Sequence, residues 1–169
     1  MRRLSPVSLI LAVVLSGSGC AQPREPARAG ASLVSPPVRV LVEAAADIPH
    51  LTVRVLEARR TGKDVVTVSL LLVNTGEPGQ PVELGSTFAS DPRDAGTLAD
   101  AFLVDETGPR RYYVLRDASD RPRTSVETAT LAPGESRPVW ASFPAPPAGT
   151  AQVTICLPHV PPMGGIPVS

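Results

Sequence analysis

The chain has 169 residues, enough for one domain with a proper core and a short tail. Sixteen basic residues balance sixteen acidic ones, so no nucleic-acid partner and no solvated acidic tail is indicated. Twenty prolines weigh against long helices, because each removes a backbone donor and fixes φ.

The N-terminal stretch MRRLSPVSLILAVVLSGSGCAQP has the layout of an export signal. Arg2 and Arg3 form a positive head. The apolar run Val7–Leu15 is too short to span a bilayer and suits a signal-peptide core. Small residues follow, then Cys20, in a pattern that resembles a bacterial lipobox with Gly17 where Leu is usual. The expectation is a signal peptide over 1–19 and a lipidated Cys20, with secretory cleavage after Ala21 as the alternative. Acyl chains contribute about 0.8 kcal/mol per buried CH₂, so a multiply acylated cysteine would hold the chain stably on a membrane. Removal of the signal leaves 14 bases against 16 acids, a net charge of −2. Residues 20–37 then read as the lipidated cysteine and a disordered tether, rich in Pro, Ala and Arg and lacking apolar periodicity. Cys156 has no partner left in the mature chain, so the domain over 38–169 must stand without a disulfide.

That domain reads as strands throughout. VRVLVEA at 38–44 sets Val38, Val40 and Val42 on one face. LTVRVLEA at 51–58 alternates with Leu51, Val53 and Val55, and DVVTVSLLLVN at 64–74 with Val66, Val68, Leu70 and Leu72, apolar on part of its other face as well. NTGEPGQP at 74–81 is turn chemistry, and 91–96 has room for one helical turn. Segments 97–106 and 110–117 flank TGP as a hairpin. Segments 126–131, 137–143 and 151–157 complete the set, with a short strand about 165–168. Seven to nine short strands without helical periodicity predict an all-β fold, an immunoglobulin-like antiparallel β-sandwich.

Candidate chemistry is thin. Cys156, His159 and Met163 stand in a C-x₂-H-x₃-M pattern, three of the four ligands that a blue-copper centre requires. The second imidazole is missing nearby: His50, the only other histidine, opens an early strand. The expectation is therefore no cofactor and a buried or half-buried free thiol, with a copper-binding or electron-transfer loop as the alternative. The acidic stretches DPRD at 91–94 and RDASD at 116–120 lack the D-x-D-x-D-G spacing of a calcium loop and read as Asx-turns and ion pairs. Asp105 and Glu106 are adjacent, so on a strand they face opposite ways and make no carboxylate pair. Arg110, Arg111, Arg116, Arg121 and Arg123 interleave with acids and predict a self-compensated surface. Tyr112, Tyr113 and Trp140 are the candidate contact aromatics, although one of the tyrosines, and Trp140, are expected in the core. No G-x-S-x-G, H-E-x-x-H or glycine-rich phosphate loop occurs, so no enzyme is expected.

The pairing of VSLLLVNTGEPG with LAPGESRPVWASFPAPP, together with YYVLRDASD and the closing LPHVPPMGGIPV, resembles an immunoglobulin-like domain family of exported actinobacterial and related lipoproteins, over roughly residues 50–168. Relatives often carry cysteines in the loop after the Arg–Asp pair; here it is ASDRPRTS, so no thiol role transfers. The resemblance implies no catalytic residues. It implies a binding or accessory module on the cell membrane or outer membrane, facing the periplasm or exterior. Its partners would be the membrane, through the anchor, and an envelope protein or glycan.

Overall fold

The computed structural model describes residues 39–108, 110–125 and 130–169. The expected signal peptide, Cys20 and the tether lie outside them, as do Val38 and the first part of the strand expected at 126–131.

The strands run in chain order β1 Val42–Ala45, β2 Leu51–Gly62, β3 Val65–Asn74, β4 Val82–Glu83, β5 Phe102–Asp105, β6 Arg111–Tyr113, β7 Thr130–Leu131, β8 Ser136–Pro144, β9 Gln152–Leu157 and β10 Val160–Pro167. A 3₁₀ turn, Pro92–Asp94, sits between β4 and β5; Asp91 caps it by accepting from the Arg93 amide at 2.9 Å. One four-stranded antiparallel sheet has the order β1-β2-β3-β8, a second has β10-β9-β5-β6, and β4 pairs with β7. The chain is an all-β sandwich, and its connectivity, with β3 to β5 and β8 to β9 passing between sheets, is compatible with an immunoglobulin-like arrangement.

β3 shows why the sequence folds this way. Its strict alternation buries Val66, Val68, Leu70 and Leu72 against the second sheet, and it is hydrogen-bonded on both flanks, to β2 and to β8. Each of those four side chains contributes about 1.5–3 kcal/mol on burial. Val53 and Val55 of β2, Val139, Ala141 and Phe143 of β8, Leu103 of β5 and Val153 and Ile155 of β9 fill the same core. β10 is different. Val160, Met163 and Ile166 are buried at every third residue, opposite Leu157, Ile155 and Val153 at every second. One extra residue in each step makes two β-bulges, occupied by Pro161–Pro162 and Gly164–Gly165. Gly165 takes a left-handed φ of 69°, and a Cβ on Gly164 would lie 2.9 Å from Thr154 Oγ1. Glu106 steadies the second bulge, accepting from the Gly165 amide at 2.8 Å and the Thr154 hydroxyl at 3.1 Å.

Asn74, the last residue of β3, is 1 % exposed. Its amide donates to Gln80 O at 2.9 Å and Leu131 O at 3.0 Å, and its Oδ1 accepts from Gly76 N at 2.8 Å. Its main chain bonds to Glu135 and Gly134 at 3.0 Å. The two motifs NTG and LAPGES thus meet in space, with Asn74 as the clip. Gly76 has no room for a side chain there, since a Cβ would sit 3.0 Å from both Asn74 Oδ1 and His50 Cγ.

Several boundaries differ from expectation. The first strand begins at Val42 and leaves Val40 exposed, because only Leu41 N extends its ladder, to Val55 O at 2.8 Å. Residues 97–101 turn instead of extending: Thr97 and Ala101 donate back to Asp94 and Leu98. β10 is longer than the expected 165–168 and β4 was not expected at all. At the other end of the domain, Arg39 and Leu41 line one surface depression together with Pro167 and Ser169.

Candidate functional site

The Cys-x₂-His-x₃-Met loop does not assemble. On β9 the core takes Val153, Ile155 and Leu157, which leaves Thr154 and Cys156 on the outer face. Met163 lies opposite Ile155 and so points into the core, on the other side of the sheet from Cys156. His159 occupies the turn between them with φ 63°, its Nδ1 3.0 Å from Asp47 Oδ1, while its carbonyl accepts from Asp47 N at 2.8 Å. His50 belongs to the β1–β2 turn, also left-handed, and its carbonyl accepts the Thr75 amide. Both histidines do structural work at turns. Burial pushes the half-buried Cys156 thiol above its ordinary 9.0, against a smaller downward pull from Arg111. Burial thus works against the thiolate, the reactive form of a cysteine. Among the described residues no group of three or more His, Cys, Asp or Glu is placed to hold a metal ion.

The acidic and basic segments face one another across a cleft lined by Asp91, Arg93, Asp94, Arg116, Asp120 and Arg121. Arg116 Nη2 donates to buried Asp94 Oδ2 at 2.5 Å and its Nη1 to Asp120 O at 2.7 Å. Asp117 Oδ1 accepts from the amides of Ser119 at 2.8 Å and Arg121 at 3.0 Å, an Asx-turn. The Arg93 side chain, then its amide, hold the Asp91 carboxyl down at about 2. The charges compensate one another, as their interleaving in the sequence indicates. Asp105 and Glu106 do point apart: Asp105 is buried, bonded to Thr107 and Thr150, and Glu106 is exposed.

The aromatic candidates divide between the two sheets. Tyr112 packs against the core, and its hydroxyl is buried with no partner among the described residues. Tyr113, 60 % exposed, lies on the outer face of the second sheet, opposite Phe102, with ring centroids 5.9 Å apart. Arg111 stands 5.0 Å over the Phe102 ring, and Cys156 flanks Phe102 on the other side. The expectation for Trp140 is corrected. It is 41 % exposed on the outer face of the first sheet, because β8 turns Val139, Ala141 and Phe143 inward. Val139, Ala141 and Phe143 share one frame and Trp140 falls in the other with Ser136, Pro138 and Ser142; the buried Phe143 opposite Val66 fixes the inward frame. Tyr113 and Trp140 therefore form no common patch.

No family model, curated protein or solved structure matches this chain.

Proposed function

We propose that the chain is a non-catalytic, lipid-anchored binding module of the cell envelope, akin to the immunoglobulin-like lipoprotein domains that its motifs resemble. The observation that carries this reading is the exposure of large aromatic side chains on the outer faces of the sandwich, Trp140 on one sheet and Tyr113 on the other. Amphipathic aromatics on rigid strands give contact area at low entropic cost, and none of the core requires them there. The charged groups of the 91–121 cleft, by contrast, are paired with one another, Arg116 with Asp94 and Arg93 with Asp91. The lipobox-like sequence about Cys20 supplies the anchor and the Pro-rich 21–37 stretch the reach.

Metabolic labelling with a palmitate analogue tests the anchor. Label is expected on the wild-type chain and absent from Cys20→Ala; label that persists in the variant refutes it.

A further inference from the structure

Within that binding-module reading, on which this inference rests, we propose that the outer face of the first sheet binds a neutral β-linked glycan strand of the surrounding envelope, with Trp140 as the stacking platform. Three observations point to this ligand chemistry.

The first is the floor around the indole. Trp140 lies opposite Ser69 on β3, Ser69 lies opposite Glu57 on β2, and Ser125 bonds to the Trp140 backbone on the other side at 2.9 Å. The row is thus Ser125, Trp140, Ser69, Glu57, running across the strands. The serines on either side are short, and Trp140 is 41 % exposed above the row. A pyranose with equatorial substituents offers a flat face of C–H bonds, and such a face lies well on an indole.

The second is the placement of polar groups. The indole Nε1–H donates to none of the described residues, and Glu57 uses one carboxylate oxygen to accept from Ser69 Oγ at 3.3 Å, leaving the other for a ligand hydroxyl. Two strand spacings separate Trp140 from Glu57, about 10 Å, which is roughly the length of a disaccharide. A sugar stacked on the indole would put its neighbour's hydroxyls against the carboxylate.

The third excludes the competing occupants. Among the described residues, the apolar side chains about Trp140 and Glu57 are Pro138 and the half-buried Leu71 and Leu56. A stable protein interface needs about 800 Å² on each partner, supplied by about 20–30 residues. The face carries no net excess of charge, since Arg54 is paired with Glu43 and the exposed Arg59 shares the outer face of β2 with Glu57, which suits a neutral ligand better than an anion.

Trp140 is the only tryptophan in the chain, so its emission reports on this face alone. The experiment titrates the full chain, in detergent micelles, with the β-1,4-linked N-acetylglucosamine tetramer and, in parallel, with mannan, whose axial hydroxyl breaks the apolar face. A saturable blue shift with the tetramer and not with mannan is expected, half complete at about 1 mM. By calorimetry Glu57→Gln should weaken binding about fivefold, the difference between a charge-assisted and a neutral hydrogen bond. Trp140→Ala should lose binding with its thermal melt retained; if that variant fails to fold, Glu57→Gln carries the test. Absence of a saturable shift, a shift produced only by envelope protein, or undiminished binding in the variants overturns the inference. Palmitate label without a glycan shift would sink this inference and leave the anchored module standing; a shift without label would do the reverse.

Discussion

β3 and β10 solve the same problem by different periods. Both line the core with aliphatic side chains, β3 at every second residue and β10 at every third. β3 is the centre of a regular ladder, held on both flanks, so its side chains must alternate. β10 is an edge strand, ladder-paired in its sheet to β9 alone, and can discard a residue at each step into a bulge. The Pro-Pro and Gly-Gly pairs are what such a strand asks for. Proline has no amide to leave unpaired at the edge, and glycine tolerates the left-handed turn and the close Thr154. A strand's regularity is thus decided by its neighbours as much as by its own residues.

If both strands contribute equally to the core, Leu70→Ala and Ile166→Ala should each cost about 2–5 kcal/mol in urea denaturation. A much smaller loss for Ile166 would mark β10 as a lightly packed edge. Asn74→Ala comes next, at about 2–3 kcal/mol, since it strands the buried carbonyl of Leu131 and removes the part-buried bond to Gln80 O. The same truncation at exposed Gln80 should stay within about 0.5 kcal/mol. Gly164→Ala should cost about 1–3 kcal/mol through overpacking against Thr154, whereas Gly149→Ala, with open space about it, should cost less. The comparison fails if the two glycines respond alike.

The smallest effect is one of pH. The Thr107 hydroxyl, then its amide and the Thr150 hydroxyl, hold the Asp105 carboxyl below its ordinary 3.8. A depressed folded value adds stability that is complete above the unfolded value and disappears as pH falls through the folded one. Wild-type urea midpoints should therefore fall below pH 3.8, and Asp105→Asn should flatten part of that slope. An unchanged slope would mean that the loss arises elsewhere, at Asp91, Asp117 and Glu135, whose carboxyls are also held low by hydrogen bonds.

The same contrast marks what was legible in the sequence. Where alternation was clean, in β2 and β3, the buried faces were read correctly, and the hairpin about TGP and the helical turn near 91–96 were found. At β10 a period of three belongs neither to a strand nor to a helix, and only its end was recognised. At β8 Val139, Ala141 and Phe143 share one parity and Trp140 stands among Ser136, Pro138 and Ser142 on the other, so the frame places it outside although its size suggests the core. Asn74 was seen as turn chemistry; that its amide closes on Leu131, far along the chain, is a tertiary fact with no local signal. For the candidate site, the C-x₂-H-x₃-M spacing was plain, but one bulge sufficed to turn Met163 inward while Cys156 remained outside.

The depression that brings Arg39 and Leu41 beside Pro167 and Ser169 has a topological consequence. Both ends of the described domain come out at the same pole. A short glycine-serine bridge should join them, and new termini opened between Gly62 and Lys63 would fall in an exposed turn. Such a circular permutant would offer its opposite pole, with the 46–50 and 158–159 turns, free of any attachment.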